Sequence, residues 1–480
     1  MKEGIGAGSL KFLSESDIQR IHAAGLSLLE NPGIRCESGA VLEVFKKGGA
    51  RVNANTGMVS VEPSMVEEAL KWAPKSFGVC GRDPEMDLLA KCGRVYFGMG
   101  GSSEPSFYDF AAGRPRKPTR RDMENCTRVG QALPNIDFIM TLCTSADMPA
   151  GNCFYYDLEA ILRNTTKPVV FSILDREYTS RLIRMGIAAS GGESEFRARP
   201  NIVGFVTPVS PMIFPKMNEG VIDCVKWGMP VLYAPGPMMG STGPVTLAGL
   251  LSQTVAEILF GLVMVQLLKK GAPLIFKMDS DVMDLSTGQC TYGSPDQILG
   301  RAALAQIGEF YDIPTFTMGG GVESKLPDSE AAAQAMMGML VNALSGITFS
   351  QCQGTMASGL YGSIEQLVIC DELVHMIRHL LKGISITDET LALDVIRKVG
   401  PGGNFLVEDH TLANFRNELF FPKLFQRQSI EHWIHGGARP MADVAHDRVE
   451  AILSQPPSSP LDETAEKELS AALAEAIHAP

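Results

Sequence analysis

Four times in the middle of this 480-residue chain, a helix-patterned stretch stops and a proline then opens a short apolar run. The junctions read Thr166-Lys167-Pro168, Gly228-Met229-Pro230, Gly271-Ala272-Pro273 and Asp312-Ile313-Pro314. Proline cannot donate to a sheet ladder, so it is tolerated at the first residue of a strand. The runs that follow are continuously apolar rather than alternating, as expected of parallel strands covered on both faces. Strands are expected at 138–144, 168–174, 202–209, 230–235, 273–278, 314–318, 347–351 and 404–407. Helical periodicity falls between them near 155–165, 178–190, 217–228, 246–270, 295–311, 328–345 and 361–381. Eight strand-then-helix units specify an α/β chain, a (β/α)8 TIM barrel of ordinary size. The alternative with the same rhythm, a doubly wound open sheet, wants a Gly-rich turn after its first strand, and Cys143-Thr144-Ser145-Ala146-Asp147 is not one.

The flanks divide the chain further. Residues 1–125 read as an N-terminal α+β extension, with a helix from the Ser14-Glu15-Ser16-Asp17 start to Leu29 and another from about Ser64 to Trp72. The barrel is placed at 126–410. C-terminal helices packed on it follow at 411–455, and a Pro-rich linker with a peripheral Ala/Glu-rich tail fills 456–480.

Composition narrows the partners. A formal charge of −12 argues against broad nucleic-acid or anionic-membrane binding. The ten cysteines form no C-x-x-C pair and read as reduced, mostly buried small hydrophobes of a cytoplasmic protein. The most apolar stretch, 246–270, carries Gln253, Glu257 and Gln266, which suits a buried helix rather than a membrane span. Its length and hydrophobicity also suggest a homo-oligomer.

No nucleotide-binding, zinc-protease or serine-hydrolase motif occurs. His375 and His379, four apart on one helix, have no evident third ligand and read as a packed or solvated pair. No metal site is expected. In a barrel, chemistry sits just past the C-terminal strand ends. Those positions give Tyr233 on the fourth strand counted here and Lys277, Asp279 and Asp281 on the fifth. The sixth gives Phe316, Glu323 and Lys325, the seventh Phe349, Gln351 and Gln353, and the eighth Phe405, Glu408 and His410. Aromatic faces beside carboxylates are what a quaternary ammonium requires, since it has no N–H to donate. Breaking its C–N bond needs a stronger nucleophile than any side chain here, so a group from elsewhere must supply it.

Five separated stretches carry a family resemblance. They are Gly100-Gly101-Ser102-Ser103-Glu104-Pro105; Gly113-Arg114-Pro115-Arg116-Lys117-Pro118-Thr119-Arg120-Arg121-Asp122; Glu323-Ser324-Lys325-Leu326-Pro327-Asp328; Ser363-Ile364-Glu365-Gln366-Leu367-Val368; and Val399-Gly400-Pro401-Gly402-Gly403-Asn404-Phe405-Leu406 with His410-Thr411 and Arg416. In these the chain resembles the trimethylamine methyltransferase superfamily over nearly its whole length. The resemblance implies a TIM barrel that passes a methyl group from an amine to the Co(I) corrinoid (cobalamin) of a separate small corrinoid-binding protein, with no cofactor bound tightly by the barrel itself. Trimethylamine members contain pyrrolysine, whose place would fall near Lys325. This chain has only standard residues and looks like the branch acting on quaternary amines, glycine betaine foremost. On that reading, Tyr233, Phe316, Phe349 and Phe405 cage the cation and Asp279 or Glu323 balances its charge. A substrate carboxylate would be held by Gln351, Gln353, His410 or Lys277. A catalytically silent barrel that binds a betaine or a corrinoid protein, and a metal-dependent barrel enzyme, remain open as other classes.

Overall fold

The computed structural model describes residues 5–478 apart from 7, 9, 102, 103 and 459. Eight parallel strands close on themselves: β1 (Arg94–Met99), β2 (Phe138–Ile139), β3 (Val169–Ser172), β4 (Ile202–Val206), β5 (Val231–Tyr233), β6 (Leu274–Lys277), β7 (Thr315–Met318) and β8 (Phe349–Gln353). β8 pairs with β1 through Phe349 opposite Tyr96, which shuts the barrel. A helix follows every strand, in order Arg120–Ala132, Cys153–Asn164, Arg176–Ala189, Val221–Trp227, Leu247–Leu268, Pro295–Tyr311, Ser329–Ser345 and Ile364–Leu381. The chain is therefore a TIM barrel, with the helix positions the periodicity predicts.

The strand count is right and its register is off by one. The barrel begins at Arg94–Met99, a run assigned above to the N-terminal extension, and residues 404–407 form no strand. The reason is local. After β1 the chain makes a hairpin, Ser106–Asp109 with Arg114–Arg116, before its helix begins, so the strand-then-helix rhythm is masked there. Residues 404–407, by contrast, lie between glycines and a helix start and expose Leu406 and Val407. The barrel thus spans about 94–381, not 126–410.

Two core layers result from period-two alternation. Tyr96, Phe138, Val170, Phe205, Leu232, Ile275, Phe316 and Phe349 fill the barrel interior, and the outward residues pack under the helices. The antiparallel hairpin Ser76–Val79/Leu88–Lys91 adds Val79, Leu88 and Ala90 to the interior cluster. Tyr96 Oη hydrogen-bonds the Leu89 backbone, so this hairpin closes the N-terminal end of the barrel.

The helix Leu247–Leu268 is long and apolar enough to cross a membrane by composition, but 83% of its apolar window is buried inside this chain. It packs beneath the N-terminal helices Glu15–Glu30 and Pro63–Trp72. It reaches the surface in its first turns, around Leu247, Ala248 and Ser252, and its hydrophobicity is accounted for by its own chain, so it is not a reason for an oligomer. The tail forms an ordered helix, Glu463–His478, that buries Leu469 and Leu473 and ion-pairs Glu466 to Arg163 and Glu475 to Arg184. All ten cysteines are unpaired, seven of them buried.

Candidate active site

The open end of the barrel holds a cavity of about 110 Å³. Its wall includes Phe205, Lys277, Asp281, Tyr292, Gln351 and Cys352, together with Gly101, Glu104 and Thr355 from the loops after β1 and β8.

Lys277 is the last residue of β6. Alternation along Leu274-Ile275-Phe276-Lys277 turns it inward with Ile275. Its ammonium donates to Asp279 and lies 5.9 Å from the Phe205 ring centroid. Asp279 is fully buried. It also accepts from the Thr317 hydroxyl and, at 3.3 Å, from the Met318 amide, and the Arg301 guanidinium stands 3.8 Å away. Arg301 is itself 1% exposed, and its Nε and Nη2 have no hydrogen-bond partner among the described residues. Gln297 and Arg301 share a face of the helix Pro295–Tyr311, four residues apart. The helix is positioned by the Ser294 cap and by Pro295 in its first turn. Gln297 donates to Asp281 at 3.0 Å.

Burial opposes every one of these charges, and the neighbours decide the outcome. For Lys277, burial favours the neutral amine, yet Asp279 and Asp281 outweigh it and hold the ammonium above the usual lysine range. Burial likewise pushes Asp279 up, but Lys277 and Arg301 bring it below an ordinary carboxylate. Asp281 stays raised, by burial first and then by the Asp279 charge. Burial also lifts the Tyr292 phenol and the Cys352 thiol, so neither is an anion near neutrality.

β8 supplies the opposite wall through an irregularity. Its pairing with β1 slips between Ser350 and Gln353, and Cys352 adopts φ +73°, a left-handed conformation unusual for a residue with a Cβ. Such a bulge re-aims side chains, and here the adjacent Gln351 and Cys352 both face the cavity. Gln351 Oε1 and both amide atoms of Gln353 are buried without a hydrogen-bond partner among the described residues. A Cβ on Gly320 would come 2.9 Å from the Gln353 Cα, so the Gly319-Gly320-Gly321 turn lets β7 and β8 approach this closely.

Of the residues singled out from sequence, Lys277, Asp281 and Gln351 line the cavity, with Asp279 and Gln353 buried in the same region. The others stand elsewhere. Tyr233 points outward, against Gly261 of the helix Leu247–Leu268, because the inward residues of β5 are Leu232 and Ala234. Phe316 and Phe349 are inside the barrel but one layer down, below Met318 and Gln351, ring to ring with Phe138 at 5.6 and 5.7 Å. Glu323 and Lys325 sit on the loop after β7, outside the cavity wall, with Lys325 exposed and its carbonyl accepting from the Tyr361 hydroxyl. Phe405, Glu408 and His410 are not in the barrel. Phe405 is 44% exposed, Glu408 pairs with Lys398, and the His410 Nε2 lies 3.3 Å from the Glu389 carbonyl. His375 and His379 flank the Phe420 ring.

Sequence reasoning missed Phe205, Tyr292, Arg301, Glu104, Cys352 and Thr355. Glu104 accepts from the Thr355 hydroxyl at 2.6 Å, and its place right after β1 would have been legible had β1 been counted as a barrel strand. Ser102 and Ser103 of the same stretch lie outside the described residues. The next quoted stretch acts as a clamp. Arg116 holds Asp122 with two hydrogen bonds of 2.6 and 2.7 Å and Asp109 with one of 3.0 Å, which ties the β1 hairpin to the capped start of the helix Arg120–Ala132.

Fold and cavity together define a barrel whose open end carries an enclosed, two-sign polar pocket. Residues 5–476 match the family model described as trimethylamine methyltransferase (MTTB). The chain is 33% identical over 465 residues to the trimethylamine methyltransferase MttB of Desulfitobacterium hafniense strain DCB-2, covering 96% of this chain and 92% of that one. It is 30% identical over 466 residues to the glycine betaine methyltransferase of Desulfitobacterium hafniense strain Y51, covering 96% of each. Among solved structures, the monomethylamine methyltransferase of Methanosarcina barkeri aligns over 94% of this chain and 95% of its own at 12% identity and TM-score 0.48. The chain belongs to the trimethylamine methyltransferase family.

Proposed function

We propose that this protein moves a methyl group from a small quaternary amine of betaine type, glycine betaine first, to the reduced corrinoid of a separate corrinoid-binding protein. One observation carries the substrate class. The cavity wall bears both charge signs, with Lys277 on one part and Glu104 and Asp281 on others. That arrangement suits a zwitterion. A lone methylammonium would gain nothing from the lysine. The relative acting on glycine betaine supports the same choice.

Phe205 and Tyr292 are the aromatic faces available to the cation. Lys277 offers its remaining N–H groups to the carboxylate, and Gln351 is positioned to orient it. Asp279 keeps the lysine charged, and Arg301 keeps Asp279 charged. With the Cys352 thiol and Tyr292 phenol both raised by burial, the wall provides no activated nucleophile among the described residues. A cavity of about 110 Å³ takes the amine but not a corrin ring. The corrinoid is accordingly a second substrate, presented at the mouth by its own carrier, and it supplies the attacking electron pair. The C–N pair stays with the departing tertiary amine, which needs no proton, so the chain needs no general acid. The unpaired cysteines suit a reducing compartment such as the cytoplasm.

The test mixes the protein with a Co(I) corrinoid and a panel of glycine betaine, proline betaine, carnitine and trimethylamine, reading methyl-cobalt absorbance. Turnover of a betaine is expected. Turnover of trimethylamine alone overturns the substrate class, and calorimetric binding without transfer points to the catalytically silent barrel.

A further inference from the structure

We propose that Tyr292, carried by the hairpin between β6 and its helix, is a removable cover over the cavity and the residue that limits the size of the methyl donor. The second half of this inference rests on the cavity being the donor site. Phe205, Lys277, Met318 and Gln351 of the wall lie on β4, β6, β7 and β8, where the barrel's own ladder fixes them. Tyr292 has no such support. It follows the antiparallel hairpin Asp281–Asp284/Gln289–Thr291, which leaves the end of β6 and returns. Asp281 opens the hairpin and Tyr292 ends it, so both feet of the hairpin stand on the cavity wall.

From there the Tyr292 ring reaches across to the loops after β7 and β8. A Cβ on Gly321 would come 3.0 Å from the ring Cδ2, and one on Gly359 would come 3.0 Å from the hydroxyl oxygen and 3.3 Å from Cζ. The ring thus lies in a slot that bare backbone leaves open. The same Cβ on Gly321 would lie 3.2 Å from the Cys352 Cβ, which puts the ring beside Cys352. Among the described residues the Tyr292 hydroxyl makes no hydrogen bond. Shape alone seats the ring, and lifting it breaks no hydrogen bond of its own.

The hairpin is as lightly held. Residues 284–290 hydrogen-bond within it, chiefly through Asp284 to Ser286 and Thr287, and Leu285 at the tip is 67% exposed. Its pairing to the body is confined to the root, where Asp281 and Val282 lie beside Met238 and Met239. Segments with few buried contacts open at lower free energy than core strands. The far end of the barrel is stopped by the hairpin Ser76–Val79/Leu88–Lys91, so a donor enters at the Tyr292 end. With strand-borne walls around about 110 Å³, added atoms on the donor's carbon skeleton press on the one wall aromatic that can give way. A short betaine lets the ring seat, and the longer carnitine holds it off.

Alkylation of Cys352 by iodoacetamide, read peptide by peptide in a mass spectrometer, tests the cover without any donor. Tyr292→Ala is expected to label at Cys352 about tenfold faster than wild type, because access limits the rate of a shielded thiol. Tyr292→Phe keeps the ring and should label as slowly as wild type. Cys224 and Cys370, buried elsewhere, report that the fold is intact. Equal Cys352 rates in wild type and Tyr292→Ala overturn the proposal. Should Tyr292→Ala expose Cys224 as well, hydrogen exchange on wild type decides. Amides of 284–291 exchanging faster than those of β6 support a removable cover, and amides as slow as β6 overturn it. Size selection is read by methyl transfer, where the ratio of kcat/KM for carnitine to that for glycine betaine should rise about tenfold in Tyr292→Ala. An unchanged ratio overturns the selecting role. A wild type that turns over neither donor overturns the proposed reaction instead, and the labelling rates still decide the cover.

Discussion

The Tyr233 ring lies against the Cα of Gly261. A Cβ on that glycine would come within 2.3 Å of the ring Cδ1. This contact sets how closely the helix Leu247–Leu268 approaches β5, and it takes Tyr233 out of the cavity. Gly261→Ala is expected to destabilise the protein by about 1–3 kcal/mol through overpacking, seen as a lower denaturant midpoint. Tyr233→Phe should leave KM for the methyl donor unchanged, and a several-fold rise would put the phenol back at the substrate.

Lys277 and Asp279 are a buried pair, so losing one partner strands the other. Lys277→Met leaves the Asp279 carboxylate facing Arg301 alone, and Asp279→Asn leaves the ammonium beside a neutral amide. Each single change is expected to cost about 3 kcal/mol, and the double change Lys277→Met/Asp279→Asn less than their sum. Urea unfolding of the four proteins measures the coupling. Additive losses would show that the two charges do not depend on each other.

At the cavity wall, Gln351→Ala and Phe205→Leu should raise KM about tenfold or more with smaller effects on kcat, because both act on binding rather than on the departing amine. His410→Ala, outside the barrel, should leave both constants as they are. The reverse pattern in a methyl-transfer assay would return the site to the residues first expected from sequence.

Asp157 gives a pH-dependent stability. It is buried, accepts from the Ser145 amide and hydroxyl, and burial pushes its carboxyl up to about 7. The folded protein holds this proton more tightly than the unfolded chain, whose aspartate titrates near 3.8. Stability is therefore fullest below pH 4 as far as this group is concerned, and is lost as pH rises through 7, by on the order of 4 kcal/mol at most. Asp157→Asn should flatten the decline in melting temperature between pH 5 and 8. An undiminished slope would assign it to other groups.

Much of this architecture is legible in the chain. Four proline-opened apolar runs, with three apolar runs that lack the proline, fix seven of the eight barrel strands, and the helices between them fall within a few residues of their expected places. What escapes is whatever depends on long-range closure. β1 is hidden by the hairpin that follows it, and that single misassignment moved the count along and put Phe405 and His410 at a mouth they do not reach. Within the site, Lys277 and Gln351 were found because they end strands. Tyr233 was misplaced because position along a strand does not say which face a side chain takes until its neighbours are fixed. Arg301 and Tyr292 come from a helix and a loop that the barrel rule does not single out, and the bulge at Cys352 leaves no mark in composition.

The hairpin Ser76–Val79/Leu88–Lys91 plugs the far end of the barrel with Val79, Leu88 and Ala90. It makes the interior a cul-de-sac. On the proposed reaction, methyl donor, demethylated product and cobalt carrier must all use one doorway, so entry precedes capping and the spent amine waits behind the carrier until that protein steps away. Turnover is then paced by an ordered exchange of visitors at a single threshold.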